Sequence, residues 1–158
     1  MSKIAIGKKV PDWTLPASGG DSIRLSELKG HAVVLYFYPK DNTSGCTLEG
    51  ENFRDLHAAF KKLKTVILGV SRDSVKSHDG FKEKYSFNFD LLSDADEKLC
   101  TLFDVIKPKI MYGKEVIGVE RSTFLIDADG VLRREWRKVR VDGHAQEVLD
   151  AVKAMHAT

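Results

Sequence analysis

The run from His31 to Tyr38 (HAVVLYFY) constrains this chain more than any other feature. It is rich in β-branched and aromatic residues, has no polar face after His31, and stops at Pro39. Such a run reads as a strand buried on both sides, and other elements must cover it. The sequence supplies them in alternation. Leu48, Phe53, Leu56, Phe60 and Leu63 mark one face of an amphipathic helix over Thr47 to Leu63. Thr65 to Val70 reads as a second buried strand, and Ser74 to Tyr85 as a helix capped by Ser74 or Asp73. A short strand at Asp90 to Leu92 and a short helix from Asp96 to Phe103 follow. Ser122 to Ile126 is a third strong strand, turned by Asp127-Ala128-Asp129-Gly130 into Val131 to Arg137. A last helix from Gly143 to Met155 puts Ala145, Val148, Leu149 and Val152 on one face. Strands alternating with helices, closed by a hairpin and a helix, predict an α/β fold with a central mixed sheet flanked by helices.

No linker, repeat or low-complexity segment divides the chain, so residues 1–158 are expected to form a single domain. Lys plus Arg number 25 against 23 Asp plus Glu, a balance that argues against a dedicated nucleic-acid or polybasic membrane protein. The longest apolar run, Ala32 to Tyr38, is far shorter than the ~18 residues of a membrane span. The apolar stretch Ile4-Ala5-Ile6 is too short for a signal peptide. A cytoplasmic location is the resulting expectation. Two cysteines, Cys46 and Cys100, are too few for a disulfide scaffold and form no Cys-x-x-Cys pair. With the five histidines scattered, no metal site is expected.

The segment Tyr38 to Glu49 (YPKDNTSGCTLE) carries the chemistry. A core strand ends at Pro39, a polar loop follows, and a helix begins near Cys46. Cys46 therefore falls in the first turn of a helix, where backbone N–H groups lack intrahelical partners and favour an anion such as a thiolate. Thr43 is placed to cap that helix or to aim its hydroxyl at the sulfur, and Gly45 leaves room for close approach. An ordinary thiol is only about 3% ionised at neutral pH, and making it mostly thiolate takes about 3.4 kcal/mol. A helix N-terminus supplies ~0.3–1 kcal/mol, or about 2 in a partly buried geometry. A cation from elsewhere in the chain has to supply the rest.

The pattern Pro39-x-x-x-Thr43-x-x-Cys46 resembles the peroxiredoxin active-site motif, and the longer string is similar to the bacterioferritin-comigratory or PrxQ subfamily. Pro11-Asp12, Leu91-Leu92-Ser93-Asp94 and Arg121-Ser122-Thr123-Phe124-Leu125-Ile126-Asp127 extend the likeness over most of the chain. The resemblance implies a thioredoxin-like fold and a thiol-dependent peroxidase that reduces hydrogen peroxide and organic hydroperoxides through Cys46, without a cofactor. It supplies Arg121 as the cation beside the sulfur, Pro39 as a shield over it, and Glu49 as a group able to orient an arginine. It also implies a monomer.

Cys46 would become a sulfenic acid, which a thiol must resolve. Two positions carry the resolving cysteine in relatives, five residues on and about thirty-six residues on; here they hold Glu51 and Lys82. Cys100, flanked by apolar neighbours, reads as a core residue and as the remaining internal candidate. The expectation is one-cysteine behaviour with an external thiol reductant: thioredoxin, glutaredoxin or glutathione. The alternatives are resolution by Cys100 and a thiol–disulfide oxidoreductase on the same fold. Gly50, inside the helix, reads as a weak point easing its unwinding. The basic stretch Arg133 to Arg140 reads as the solvated face of a hairpin with Trp136 tucked under the final helix, not as a nucleic-acid site.

Overall fold

The computed structural model describes residues 4–157. Its centre is a five-stranded sheet that holds the buried run as strand β3 (Ala32–Phe37). Along the chain come β1 (Thr14–Pro16), β2 (Ser22–Arg24), β3, helix α1 (Ser44–Lys62), β4 (Thr65–Ser71), α2 (Val75–Tyr85), β5 (Asp90–Ser93) and α3 (Lys98–Leu102). Next are β6 (Ile106–Met111), β7 (Lys114–Val119), β8 (Ser122–Ile126), β9 (Leu132–Trp136) and α4 (His144–His156). The sheet order is β5-β4-β3-β8-β9, parallel through β5, β4 and β3 and antiparallel from β3 to β8 to β9. This is the mixed α/β architecture that the alternation of elements predicts.

All six residues of β3 are buried, and their alternation builds two separate cores. Val33, Leu35 and Phe37 face a layer made by the N-terminal segment (Val10, Trp13, Leu15, Leu25) and by α3 (Leu99, Cys100) with Phe103. Val34, Tyr36 and Tyr38 face the layer of α1, α2 and α4, with Phe53, Phe60, Phe81, Val148 and Val152. The sheet therefore separates the two cysteines, Cys46 on one side and Cys100 on the other.

Three features depart from the sequence reading. The segment between α3 and β8 forms a β6–β7 hairpin, in register from Ile106↔Val119 to Met111↔Lys114, and β1 and β2 form a second small ribbon. Pro108 and Gly118 interrupt the alternation that marks a strand, so the first hairpin lacks the usual signal. Gly50 is the third. An added Cβ there would press into the Phe87 ring, so the glycine admits that ring against α1 rather than serving as a weak point. Ser74 is the cap of α2, its hydroxyl accepting from Ser77 N–H at 3.1 Å. The Asp73 carboxylate is used elsewhere.

Candidate active site

The register of β3 with β8 builds the site. Phe37 pairs with Ser122, which places Arg121 opposite Tyr38, where the core strand gives way to the loop before α1. Thr123 faces α4, so Arg121, two residues earlier on the same strand face, is directed toward the first turns of α1. Its guanidinium forks there. Nη2 donates to Cys46 Sγ at 3.4 Å, and Nη1 donates to Glu49 Oε1 at 2.6 Å. Glu49 lies nearly one turn beyond Cys46 on the same helix face, so one cation reaches both. Gly45 makes that approach possible, since a Cβ at this position would sit 3.2 Å from Nη2.

Cys46 is 2% exposed and Glu49 side chain is 1% exposed. Burial pushes the Glu49 carboxyl up to about 7, although the charge and hydrogen bond of Arg121 pull it down. Its second oxygen, Oε2, is buried and has no hydrogen-bond partner among the described residues. Burial works against the Arg121 charge, but the Glu49 carboxylate and the Cys46 sulfur outweigh it and hold the guanidinium above its ordinary range. Thr47 N–H is the first of α1 to bond backward, to Thr43 carbonyl at 2.9 Å. The N–H groups of Ser44, Gly45 and Cys46 thus precede the intrahelical ladder and form a concentration of donors beside the sulfur.

Thr43 is the N-cap residue, yet it neither caps the helix nor aims its proton at the sulfur. Its hydroxyl donates to Lys40 carbonyl at 2.8 Å, closing a turn in which Asn42 has a left-handed φ of 63°. The carbonyl at this turn needs a donor, and that demand wins; the hydroxyl oxygen keeps its lone pairs for an incoming O–H. Pro39 is half-buried at the start of the same loop.

Behind Arg121, Thr123 Oγ1 lies 2.8 Å from His144 Nε2, and the His144 ring stands edge-on to Phe53 and Trp136. Burial first, and then the Arg121 charge, push His144 down to about 4, so it is neutral at physiological pH. Nothing in the sequence links His144 to Arg121; the fold brings them together. Cys100 is outside this assembly. It is 0% exposed, and burial with the Asp94 carboxylate at its side pushes its thiol far above the ordinary range. Its backbone N–H and that of Leu99 are held by Asp94 at 2.7 and 3.0 Å. In the basic stretch Arg133, Arg134, Lys138 and Arg140 are exposed, as on a solvated face; Arg134 lies over the Trp136 ring, and Arg137 donates to the carbonyls of Phe103 and Asp104.

A cysteine at a helix N-terminus on the carboxyl end of a core strand, under a carboxylate-held arginine, is the setting of a reactive thiol with donors ready for developing negative charge. Comparison with known proteins agrees: the sequence pattern of the AhpC/TSA family matches residues 6–135, and the chain belongs to that family. Peroxiredoxin Bcp of Xanthomonas campestris pv. campestris is 57% identical over 143 residues, covering 90% of this chain and 89% of that protein. Peroxiredoxin Bcp of Bacillus subtilis is 52% identical over 152 residues, 96% of this chain and 97% of that one. Among solved structures, a bacterioferritin comigratory protein from Xanthomonas campestris superposes with a TM-score of 0.90 at 52% identity over the whole of both chains. That structure is described in terms of alkyl peroxide reduction and trapped intermediate and ligand complexes. The protein is thus a thiol-dependent peroxidase that takes a hydroperoxide and a thiol reductant.

Proposed function

We propose that the protein reduces hydrogen peroxide and organic hydroperoxides through Cys46, and that an external thiol resolves the oxidised cysteine. The observation that carries this reading is the Arg121 fork, 3.4 Å from the sulfur and backed by a buried carboxylate. The Cys46 thiolate attacks the terminal peroxide oxygen in line with the O–O bond. An S–O bond forms as the O–O bond breaks, and the departing oxygen takes a proton and leaves as water or alcohol. Cys46, oxidised by two electrons, becomes a sulfenic acid. Arg121, the Thr43 hydroxyl oxygen and the N–H groups of Gly45 and Cys46 hold the two oxygens and stabilise the charge moving between them. Pro39 shields the sulfur and slows further oxidation.

One external thiol condenses with the sulfenic acid, releasing water and leaving a mixed disulfide. A second thiol cleaves that disulfide and returns Cys46. Thioredoxin, glutaredoxin and glutathione all have this chemistry. Support for an external partner comes from the sheet between the two cysteines, since a disulfide needs Cα atoms within ~7 Å. In this reading residues 1–158 act as one catalytic domain, monomeric and cytoplasmic, with no nucleic-acid partner. No helix among the described residues is long and apolar enough to cross a membrane.

The test is an intact-mass measurement on reduced protein given one equivalent of hydrogen peroxide and a sulfenic-acid trap. Rapid trapping at Cys46 with Cys100 left as a thiol is the expected result. Loss of two hydrogens in a Cys46–Cys100 bond makes Cys100 the resolver. A Cys46 no faster than an ordinary free thiol sinks the peroxidase assignment of that residue.

A further inference from the structure

Asp41 sits in the middle of the loop that delivers Cys46, yet it is 5% exposed and faces inward. Its carboxylate gathers three side chains from two directions. Tyr38 OH donates to Oδ1 at 2.6 Å, Ser77 Oγ donates to Oδ2 at 2.8 Å, and His78 Nδ1 lies 2.7 Å from the same Oδ2. Tyr38 ends the buried run of β3, and Ser77 and His78 belong to the first turn of α2. The Asp41 backbone N–H is held as well, by Asp73 Oδ2 at 2.9 Å, and Asp73 in turn accepts from Ser71 Oγ at the end of β4 at 2.5 Å.

His78 is a fixed partner, not a mobile one. It is 0% exposed, and its Nε2 is 2.9 Å from the Leu92 carbonyl of β5, which can only accept. Nε2 therefore donates to that carbonyl, which leaves Nδ1 facing the Asp41 carboxylate. The network ties the loop to β3, β4, β5 and α2 at once. Beyond Asp41 the chain passes through left-handed Asn42 and the Thr43–Lys40 turn, and α1 begins at Ser44. No other polar anchor to the sheet is present between Asp41 and Cys46 among the described residues.

We propose that Asp41, clamped by His78, Ser77 and Tyr38, is a positioning residue for the peroxidase reaction: it sets where Thr43, Gly45 and the Cys46 sulfur stand relative to Arg121. The inference rests on the assignment of Cys46 as the reacting thiol. Peroxide reduction needs in-line geometry and several donors aimed together, whereas alkylation of the same sulfur needs only an accessible thiolate. A displacement of about 1 Å can cost on the order of 100-fold in a reaction of the first kind. The clamp acts through the loop and touches no substrate.

The test compares two rate constants for Cys46 in each variant, one with hydrogen peroxide and one with iodoacetamide, alongside the melting temperature. Asp41→Ala is expected to lower the peroxide rate at least tenfold while the iodoacetamide rate changes less than threefold. Asp41→Asn retains an acceptor for Tyr38 and a donor for His78 Nδ1, and is expected to recover most of the peroxide rate. Tyr38→Phe deletes a single arm and preserves packing, so it tests the same point if Asp41→Ala does not fold; a selective loss of peroxide rate is again expected. Equal changes in both rates, or a drop in melting temperature with the rate ratio unmoved, overturn the proposal and leave Asp41 a structural residue. A wild-type Cys46 that ignores peroxide overturns the functional assignment instead.

Discussion

At the scale of single residues, the candidate site is organised around the fork of Arg121. Two hydrogen bonds leave one guanidinium at an angle that only a planar, multi-donor group provides, one to sulfur and one to the Glu49 carboxylate. Charge-assisted hydrogen bonds of this kind contribute about 1.5–3 kcal/mol, so Arg121→Ala is expected to slow peroxide reduction by about 10- to 100-fold in stopped-flow assays. Arg121→Lys is expected to restore little, because one ammonium cannot span both partners. Without the cation only burial acts on Glu49, which then holds its proton at neutral pH; an infrared carboxylic-acid band in Arg121→Ala checks this. Cys46, Glu49, Gly45 and Arg121 were all nameable from the sequence, through a helix-start pattern and a family likeness. Thr43 was nameable but not its orientation, which the unmet Lys40 carbonyl decides. The Asp41–His78 pair was not readable, because its partners are far apart in the chain and no periodicity marks them.

At the scale of elements, strands and helices with a clean period were legible and the rest were not. The buried run of β3, the amphipathic faces of α1 and α4, and the β8–β9 hairpin all carry their signal in consecutive residues. The β6–β7 hairpin does not, with a proline in one strand and a glycine in the other, and it leaves Tyr112 at its turn 97% exposed. Gly50 shows why local propensity misleads. Alanine gains about 1 kcal/mol over glycine inside a helix, but here its methyl meets the Phe87 ring, and overpacking costs about 1–3 kcal/mol. Gly50→Ala is therefore expected to destabilise the protein by about 1 kcal/mol, read from the urea midpoint at unchanged slope. A gain in stability would show that Phe87 moves aside freely.

At the scale of the whole molecule, the buried titratable groups around the site set opposing pH slopes. His144 is held at about 4 in the folded protein against an ordinary 6.5, so its neutral form stabilises the fold above pH 6.5. That contribution is lost as pH falls from 6.5 toward 4, because the unfolded chain binds the proton first. Glu49 runs the other way: its raised carboxyl makes stability fall as pH rises from about 4.5 to 7. His144→Gln is expected to remove the first slope only, so its stability relative to wild type improves on acidification across that window; urea midpoints at three pH values test this. The placement of the two thiols on opposite faces of the sheet has a kinetic meaning as well. A resolver built into the same chain closes the cycle in a first-order step, indifferent to what surrounds the protein. With the second sulfur walled off, and the cycle closed from outside as proposed, that step becomes bimolecular. The lifetime of the oxidised protein then scales inversely with the ambient thiol concentration, and the fraction of molecules waiting in that form becomes a gauge of how well supplied with reductant their surroundings are.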